Sequence, residues 1–147
     1  MSLLYADTSA LIRAYFADEP DHTELRAALL EGDDPVVTCE IARVELASAV
    51  RAAARGGRLR RWRDVLARFD ADCQEEGPII LLRLRSEGIL PAAYRLVLQH
   101  HIRTLDALHL AVAVTECPSL AGDDDVVFVT RDADQAKAVE ALGFAVR

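Results

Sequence analysis

Short apolar runs alternate with longer stretches of helical periodicity along most of the chain. The first run, Leu3–Ala6, predicts a strand that is buried on both faces, as in a parallel sheet. Strands alternating with helices predict a three-layer α/β/α sandwich with a mainly parallel central sheet. The other strands are predicted at Val36–Thr38, Ile79–Leu84, Asp125–Thr130 and Gly143–Val146.

Helical periodicity fills the segments between these strands. Gly56-Gly57 ends one helix, and Thr104 is a candidate N-terminal cap for another. The chain is long enough to bury one sizeable hydrophobic core, so we expect residues 1–147 to form a single domain. The helices are predicted at Ser9–Ala17, His22–Leu30, Glu40–Arg55, Arg58–Asp72, Pro91–His101, Leu105–Glu116 and Ala133–Leu142.

Composition narrows the class of protein. Hydrophobic residues make up 52% of the chain, which excludes general disorder. No apolar run reaches the roughly 20 residues of a membrane helix, and the N-terminus lacks the features of a signal peptide. The cysteines, Cys39, Cys73 and Cys117, lie far apart and without a zinc-binding spacing. We therefore expect a cytoplasmic protein with no membrane contact.

The net charge of −7 argues by itself against a polyanionic partner, but the charge is unevenly distributed. Arginines crowd the segment from Arg51 to Arg68, which surrounds Trp62 and contains Asp64 as its only acid. Arginine forms paired hydrogen bonds to phosphate, and Trp62 can stack on a base. We favour a solvated helix face for this segment, because the chain uses arginine almost everywhere in place of lysine.

Two acids leave the carboxyl ends of predicted strands. Asp7 follows Leu3–Ala6, and Asp132 follows the strand that ends at Thr130. Burial of a charge is costly, so Asp7 either caps the next helix or holds a cation. Ligands of open parallel sheets bind beyond the carboxyl ends of the strands, which draws attention to both acids.

Two further acids lie on helices that should pack against the same sheet. Asp106 is the only acid in a helix that is apolar nearly all round, although an acid in a first turn also favours the helix dipole. Glu45 falls within a predicted apolar stripe, where a Glu at the edge with its head in water is the ordinary explanation. That stripe comprises Ile41, Val44, Ser48, Ala49 and Ala52.

Together, these four acids predict a metal site. Carboxylates that converge at one edge of a sheet repel one another, and some stay protonated unless a cation compensates them. Oxygen ligands with incomplete coverage suit Mg²⁺ or Mn²⁺, which keep open positions for water and phosphate. The chemistry that follows is metal-assisted phosphodiester hydrolysis.

Four segments carry these acids: YADTSALIRAYF, VTCEIARVELASAV, TLDALHLAVAV and FVTRDADQAKAVEALGFAV. In this order and spacing they resemble the PIN-domain ribonucleases, and specifically the VapC-type toxins of bacterial toxin–antitoxin pairs. The opening Asp-Thr-Ser and the segment Thr-Leu-Asp-Ala-Leu-His are the more specific parts. The resemblance covers nearly the whole chain and implies a PIN-like fold.

The resemblance also implies roles for single residues. Asp7 and Asp106 match metal ligands of the family. Glu45 and Asp132 match acids that bind the metal directly or through water and help to orient or deprotonate the attacking water. Helix capping is the ordinary alternative for the hydroxyl groups that match positions near the metal: Thr8, Ser9 and Thr130.

The fourth acid of this quartet has neighbours that compete for its role. Asp134 lies two residues further on, and Asp123–Asp125 lie just before the strand. We choose Asp132 because it follows Thr130 as in the family pattern.

The function that the resemblance implies is that of an Mg²⁺- or Mn²⁺-dependent endoribonuclease toxin. It implies RNA as substrate, a homodimer, and a small VapB-like antitoxin that covers the active site. One alternative is a catalytically inactive PIN-like module that binds RNA or protein, although such a module should have lost some of the four acids. Another is a phosphatase with Asp7 as nucleophile, although the haloacid-dehalogenase type needs a second Asp where this chain has Ser9.

Overall fold

A single parallel sheet forms the centre of the computed structural model, which describes all residues from Met1 to Arg147. Its strands are β1 (Ser2–Ala6), β2 (Val36–Cys39), β3 (Ile79–Leu82), β4 (Asp125–Val129) and β5 (Ala145–Val146). They lie in the order β3-β2-β1-β4-β5, and every neighbouring pair is parallel. Because β1 is central, the residues that follow β1, β2 and β4 meet at one carboxyl edge.

Helices cover both faces of this sheet. They are α1 (Thr8–Tyr15), α2 (His22–Leu29), α3 (Ile41–Arg55), α4 (Trp62–Asp72), α5 (Ser86–Gln99), α6 (Thr104–Ala121) and α7 (Ala133–Ala141). None of them combines the length and the hydropathy needed to cross a bilayer. The predicted three-layer α/β/α sandwich with a parallel sheet is thus confirmed.

Alternation along β1 divides the core in two. Leu3 and Tyr5 belong to a hydrophobic cluster with residues of α5, α6 and α7. Leu4 and Ala6 belong to a second cluster with residues of α1, α2, α3 and α4. Successive side chains of a strand point to opposite faces, so β1 anchors both helical layers and fixes the position of the residue that follows it.

Two helices are longer than their sequences indicated, and both contain a proline. The predicted start of α5 at Pro91 is wrong, because the helix begins at Ser86. The predicted end of α6 at Glu116 is also wrong, because the helix continues through Pro118 to Ala121. Each proline costs backbone hydrogen bonding. Packing of α5 against α6 over the sheet offsets that cost, as the burial of residues flanking the prolines shows: Ile89, Ala93 and Cys117.

The first residues of two helices also differ from the prediction. Thr104 is the first residue of α6 and not its cap, since Arg103 occupies the cap position. Helix α4 begins at Trp62, four residues after the predicted start at Arg58.

The buried face of α3 differs from the predicted stripe. Val44, a member of that stripe, is 74% exposed. The fully buried residues are Ala42, Leu46, Val50 and Ala53. Glu45 therefore lies at the edge of the buried face, where its carboxylate can approach the end of the sheet.

Candidate functional site

Asp7 lies at the centre of the carboxyl edge, between the end of β1 and the start of α1. Only 2% of the residue is exposed. Its Oδ1 accepts hydrogen bonds from Ser9 Oγ at 2.6 Å and from the Ala10 N–H at 3.2 Å. Its Oδ2 accepts one from Thr130 Oγ1 at 2.6 Å. The bond from Ala10 makes Asp7 the N-cap of α1, so the capping interpretation holds.

These partners of Asp7 are all neutral. Burial raises the pKa of Asp7 above its ordinary value, although the hydrogen bonds from Ser9 and Thr130 act in the opposite direction. The ion pairs at this edge join Arg103 to Asp106 and Asp132, and none reaches Asp7. Asp7 is therefore a buried carboxylate without an ion-pair partner, and the electrostatic influence of His109 on its pKa does not outweigh that of burial.

Hydroxyl groups tie the segment after β4 to Asp7. Thr130 Oγ1 accepts a hydrogen bond from the Asp132 N–H at 3.1 Å, and Ser9 Oγ accepts one from the Arg131 N–H at 2.8 Å. Both hydroxyls donate to Asp7 in turn. They act as links between carboxylate and backbone, which fixes the segment that carries Asp132.

Glu45 reaches the same edge from α3. Its Oε1 accepts hydrogen bonds from Thr8 Oγ1 at 2.8 Å and from His109 Nε2 at 2.6 Å. Burial acts to raise the pKa of Glu45, but the bonds from His109 and Thr8 outweigh it, and the net pKa lies below the ordinary value. Glu45 is therefore ionised at neutral pH.

Asp106 and Asp132 are joined by one guanidinium. Arg103 Nε lies 3.3 Å from Asp106 Oδ2, and Arg103 Nη2 lies 3.3 Å from Asp132 Oδ2. Burial raises the pKa of Asp106, and the negative charge of Asp132 raises it further, while Arg103 acts against both. Asp132 also caps α7, because its Oδ1 accepts a hydrogen bond from the Gln135 N–H at 2.9 Å.

The two acids of this pair line a cavity of about 370 Å³. Asp134, which competes with Asp132 for the role of fourth acid, lines it as well. Asp123–Asp125 lie at the amino ends of the strands, since Asp125 begins β4 beside Ser2. They are therefore too far from the other acids to serve as the fourth acid. The full lining is His101, Ile102, Arg103, Asp106, Asp132 and Asp134.

The predicted quartet thus lies along one edge of the sheet, but its side chains do not share one point. No group of three or more His, Cys, Asp or Glu side chains is placed to hold a single ion. Asp7 and Glu45 are connected through the neighbouring residues Thr8 and Ser9, and Asp106 and Asp132 through Arg103.

Comparison with known families decides the assignment. The family model of the PIN domain matches residues 4–141. The chain belongs to the PIN-domain family. A search of curated protein sequences finds no match. The resemblance of the sequence motifs to this family is therefore confirmed, whereas the roles of the four acids stay a prediction.

Solved structures with the same fold include toxins and toxin complexes. The Sarcin–Ricin loop cleaving toxin VapC20 of Mycobacterium tuberculosis has a TM-score of 0.65 and 17% identity, with 97% of this chain and 96% of that one covered. VapBC2 of Rickettsia felis, bound to a DNA fragment from its promoter, has a TM-score of 0.63 and 11% identity, with 99% of this chain and 97% of that one covered. A toxin–antitoxin complex of Klebsiella pneumoniae has a TM-score of 0.58 and 18% identity, with 100% of this chain and 96% of that one covered.

The donor set of this PIN domain fits a divalent metal. All four predicted residues offer carboxylate oxygens, which are hard ligands suited to Mg²⁺ or Mn²⁺. Asp7 is buried without a compensating charge, and the pKa of Asp106 is raised by burial and by Asp132. A cation at this edge would favour the ionised form of both acids.

Sequence reasoning missed two residues of this edge. The sequence motif Thr-Leu-Asp-Ala-Leu-His assigns no role to His109, which is buried and binds Glu45 on another helix. Arg103 was not singled out, although it lies three residues before Asp106, a spacing at which helical neighbours of opposite charge meet. No local pattern could have paired His109 with Glu45, because the two residues belong to opposite layers.

Proposed function

We propose that this PIN domain is a metal-dependent endoribonuclease of the VapC type that acts as a toxin. Family membership and a fold shared with VapC toxins support a nuclease. The observation that carries the proposal is Asp7, a fully buried carboxylate whose only partners are neutral donors. Stability alone does not favour such an arrangement, because an uncompensated buried charge is costly.

In this proposal Asp7 and Asp106 would hold Mg²⁺ or Mn²⁺, and Glu45 and Asp132 would hold it directly or through water. The bound metal would lower the pKa of its water and screen the charge of the phosphate. Glu45, which is ionised at neutral pH, orients the attacking water and accepts its proton. Attack in line with the leaving oxygen gives a 5′-phosphate and a 3′-hydroxyl.

The proposed substrate is RNA, and the proposed location is the cytoplasm. The segment Arg51–Arg68 adds little support for RNA stacking. The guanidinium carbons of Arg51 and Arg63 lie 4.2 and 4.1 Å from the centre of the Trp62 ring. Arg58 pairs with acids before α2, Asp18 and Glu19. These contacts support the solvated face that we expected for this segment.

The proposed partners are a VapB-like antitoxin and a second copy of the chain. Two of the structures with this fold are toxin–antitoxin complexes. The outer face of α5 presents an apolar stripe, which such associations would bury. Its residues are Leu90, Tyr94, Val97 and Leu98, with exposed fractions of 51, 67, 38 and 70%.

A catalytically inactive PIN-like module is the second candidate function. The phosphatase hypothesis loses its support, because the chain belongs to the PIN family. An inactive module would bind RNA or protein without cleaving it, so cleavage decides between the two.

The test compares cleavage of total cellular RNA by wild type and Asp7→Asn, each with Mg²⁺, Mn²⁺ or EDTA. Asp64→Asn is the control, because Asp64 lies on α4 and forms an exposed ion pair with Arg61 at 2.6 Å. We expect metal-dependent cleavage by wild type and the control, and a loss of more than about a hundredfold in Asp7→Asn. Intact RNA with folded wild type in every condition would refute the nuclease.

A further inference from the structure

A chain of buried hydrogen bonds begins behind Glu45 and crosses the end of the sheet. His109 Nε2 lies 2.6 Å from Glu45 Oε1, and His109 Nδ1 lies 2.8 Å from the hydroxyl oxygen of Tyr5. The Cys39 N–H donates to the same hydroxyl at 3.2 Å. His109 is 1% exposed and Tyr5 is 0% exposed, so water does not compete for the two bonds of the Tyr5 hydroxyl.

The direction of each bond follows from the groups at its ends. The Cys39 N–H can only donate, so the Tyr5 oxygen accepts there. Burial raises the pKa of Tyr5 well above its ordinary value, so the hydroxyl keeps its proton. No other acceptor lies within reach of that proton, and Tyr5 therefore donates to His109 Nδ1.

This direction fixes the tautomer of His109. Because Nδ1 accepts from Tyr5, the ring proton lies on Nε2 and points to Glu45. The ionised Glu45 carboxylate can only accept, so the two ends of the chain agree. Thr8 Oγ1 donates to the same oxygen, Oε1. Both bonds thus end on Oε1, and Oε2 has no partner within the protein.

We propose that Tyr5 and His109 are positioning residues that hold Glu45 in a single orientation, with Oε2 as the oxygen that serves the metal or its water. In this proposal His109 and Tyr5 contact neither substrate nor metal, and His109 acts through Glu45 and through Thr8, whose Oγ1 lies 3.1 Å from His109 Nε2. This inference rests on the proposed function for the role of Glu45, but the proton position on His109 can be tested without any activity.

This series of hydrogen bonds also explains why α3 and α6 must keep their relative position. Glu45 belongs to the layer of α1 to α4, and His109 belongs to the layer of α5 to α7. Glu has three rotatable side-chain bonds, and an unrestrained Glu45 would sample many rotamers at the half-open edge. The bond from His109 ties its carboxylate to the opposite layer and removes that freedom.

The first test compares His109→Gln with His109→Asn. The Gln amide reaches about as far as Nε2 and retains a donor for Glu45, whereas the Asn amide reaches only about as far as Nδ1. With an RNA oligonucleotide that wild type cleaves, we expect His109→Asn to lower kcat by about tenfold to a hundredfold at unchanged KM. His109→Gln should retain most of the wild-type kcat. Equal kcat values for the two variants would overturn the proposal.

The second test removes only the Tyr5 hydroxyl, the hydrogen-bond donor to His109 Nδ1. Tyr5→Phe leaves Nδ1 without its donor, so the His109 ring loses one of its hydrogen bonds and holds Glu45 less firmly. We expect a lower kcat at unchanged KM. Tyr15→Phe is the matched control, because the Tyr15 hydroxyl donates to Asp72 at 2.6 Å and has no bond to the site. A purely structural role for Tyr5 predicts that the two variants lose stability but keep the kcat of wild type.

The third test reads the tautomer directly. In ¹⁵N-histidine-labelled wild type at pH 7, we expect the His109 ring to carry its proton on Nε2, facing Glu45. A proton on Nδ1 in wild type would overturn the proposal even if RNA is cleaved. If wild type cleaves no RNA, the proposed function fails. A wild-type proton on Nε2, together with weaker Mn²⁺ binding by His109→Asn, would still support the positioning of Glu45. A proton on Nδ1, or unchanged Mn²⁺ binding by His109→Asn, would refute that positioning.

Discussion

Two aspartates are almost completely buried in this protein, and they differ in what surrounds them. Asp72, at the end of α4, is 6% exposed and accepts a hydrogen bond from the Tyr15 hydroxyl at 2.6 Å. Arg68 Nε lies 3.0 Å from one of its oxygens and 3.2 Å from the other. Asp7 is 2% exposed and has only hydroxyl and amide donors.

The difference separates a structural acid from a candidate functional one. The charge of Asp72 is compensated inside the protein, so its burial needs no ligand. Asp7 receives hydrogen bonds but has no ion-pair partner, and burial raises its pKa. Burial of an acid therefore does not by itself identify a metal ligand. The absence of an ion-pair partner beside Asp7 is the more informative observation.

The largest expected contrast is stabilisation by metal. A ligand that binds only the folded protein stabilises it by about 4.1 kcal/mol when its free concentration is a thousand times its dissociation constant. We expect Mn²⁺ to raise the unfolding free energy of wild type and Asp72→Asn but not of Asp7→Asn. Urea unfolding with Mn²⁺ or EDTA measures this. An equal response of Asp7→Asn would place the metal elsewhere.

Without metal, the two isosteric changes should have opposite signs. Asp72→Asn weakens bonds to a charged group, and we expect it to lower the unfolding free energy by about 1.5 to 3 kcal/mol. Asp7→Asn removes a charge that burial disfavours, so the unfolding free energy at pH 7 should rise. Thermal and urea unfolding in EDTA test both variants. A loss of stability in Asp7→Asn would mean that the Asp7 charge is compensated after all.

A smaller effect should appear in the pH dependence of the metal-free protein. The pKa of Asp7 is raised by folding above the value of about 3.9 of an unfolded Asp. The folded state then binds more protons, so the Asp7 contribution to stability falls as pH rises through its folded pKa. The advantage of Asp7→Asn over wild type should thus be largest at pH 7 and shrink on acidification.

Urea midpoints of the two proteins between pH 7 and pH 4 provide the measurement. Glu45, whose pKa is lowered, has the opposite dependence, since its contribution is lost as pH falls through its folded pKa. It is present in both proteins and cancels in the difference. A difference that stays constant with pH would contradict the raised pKa of Asp7.

The smallest expected effect concerns Arg103. Its side chain is 82% exposed, and its two ion pairs occupy oxygens of Asp106 and Asp132. A metal would compete with this guanidinium, so Arg103→Gln should tighten Mn²⁺ binding, by only a few fold because exposed pairs are weak. Calorimetric titration measures it, with Arg61→Gln as control, since Arg61 pairs with Asp64 on α4. Weaker binding in Arg103→Gln would show that Arg103 supports the site.

Local pattern predicted most of the fold and failed at identifiable places. The alternation of strands and helices indicated the parallel sheet, because a strand buried on both faces leaves a short apolar run. The start of α5 and the end of α6 were predicted wrongly, since Pro91 and Pro118 lie inside packed helices and do not end them. The stripe on α3 was misplaced, because the small and apolar residues of that helix occupy several faces and only contact with the core decides between them.

The sequence by itself determined the order of strands and helices, the family, and the four candidate acids, two after predicted strands and two on predicted helices. These follow from periodicity and motifs, which are properties of neighbouring residues. Only the tertiary structure decided that Asp7 has no cation beside it, that Arg103 joins Asp106 to Asp132, and that His109 binds Glu45. The physical reason is that Asp132 lies 29 residues from Arg103 and Glu45 lies 64 residues from His109 in the sequence, so only the packing of the helices on the sheet brings these partners within hydrogen-bond distance.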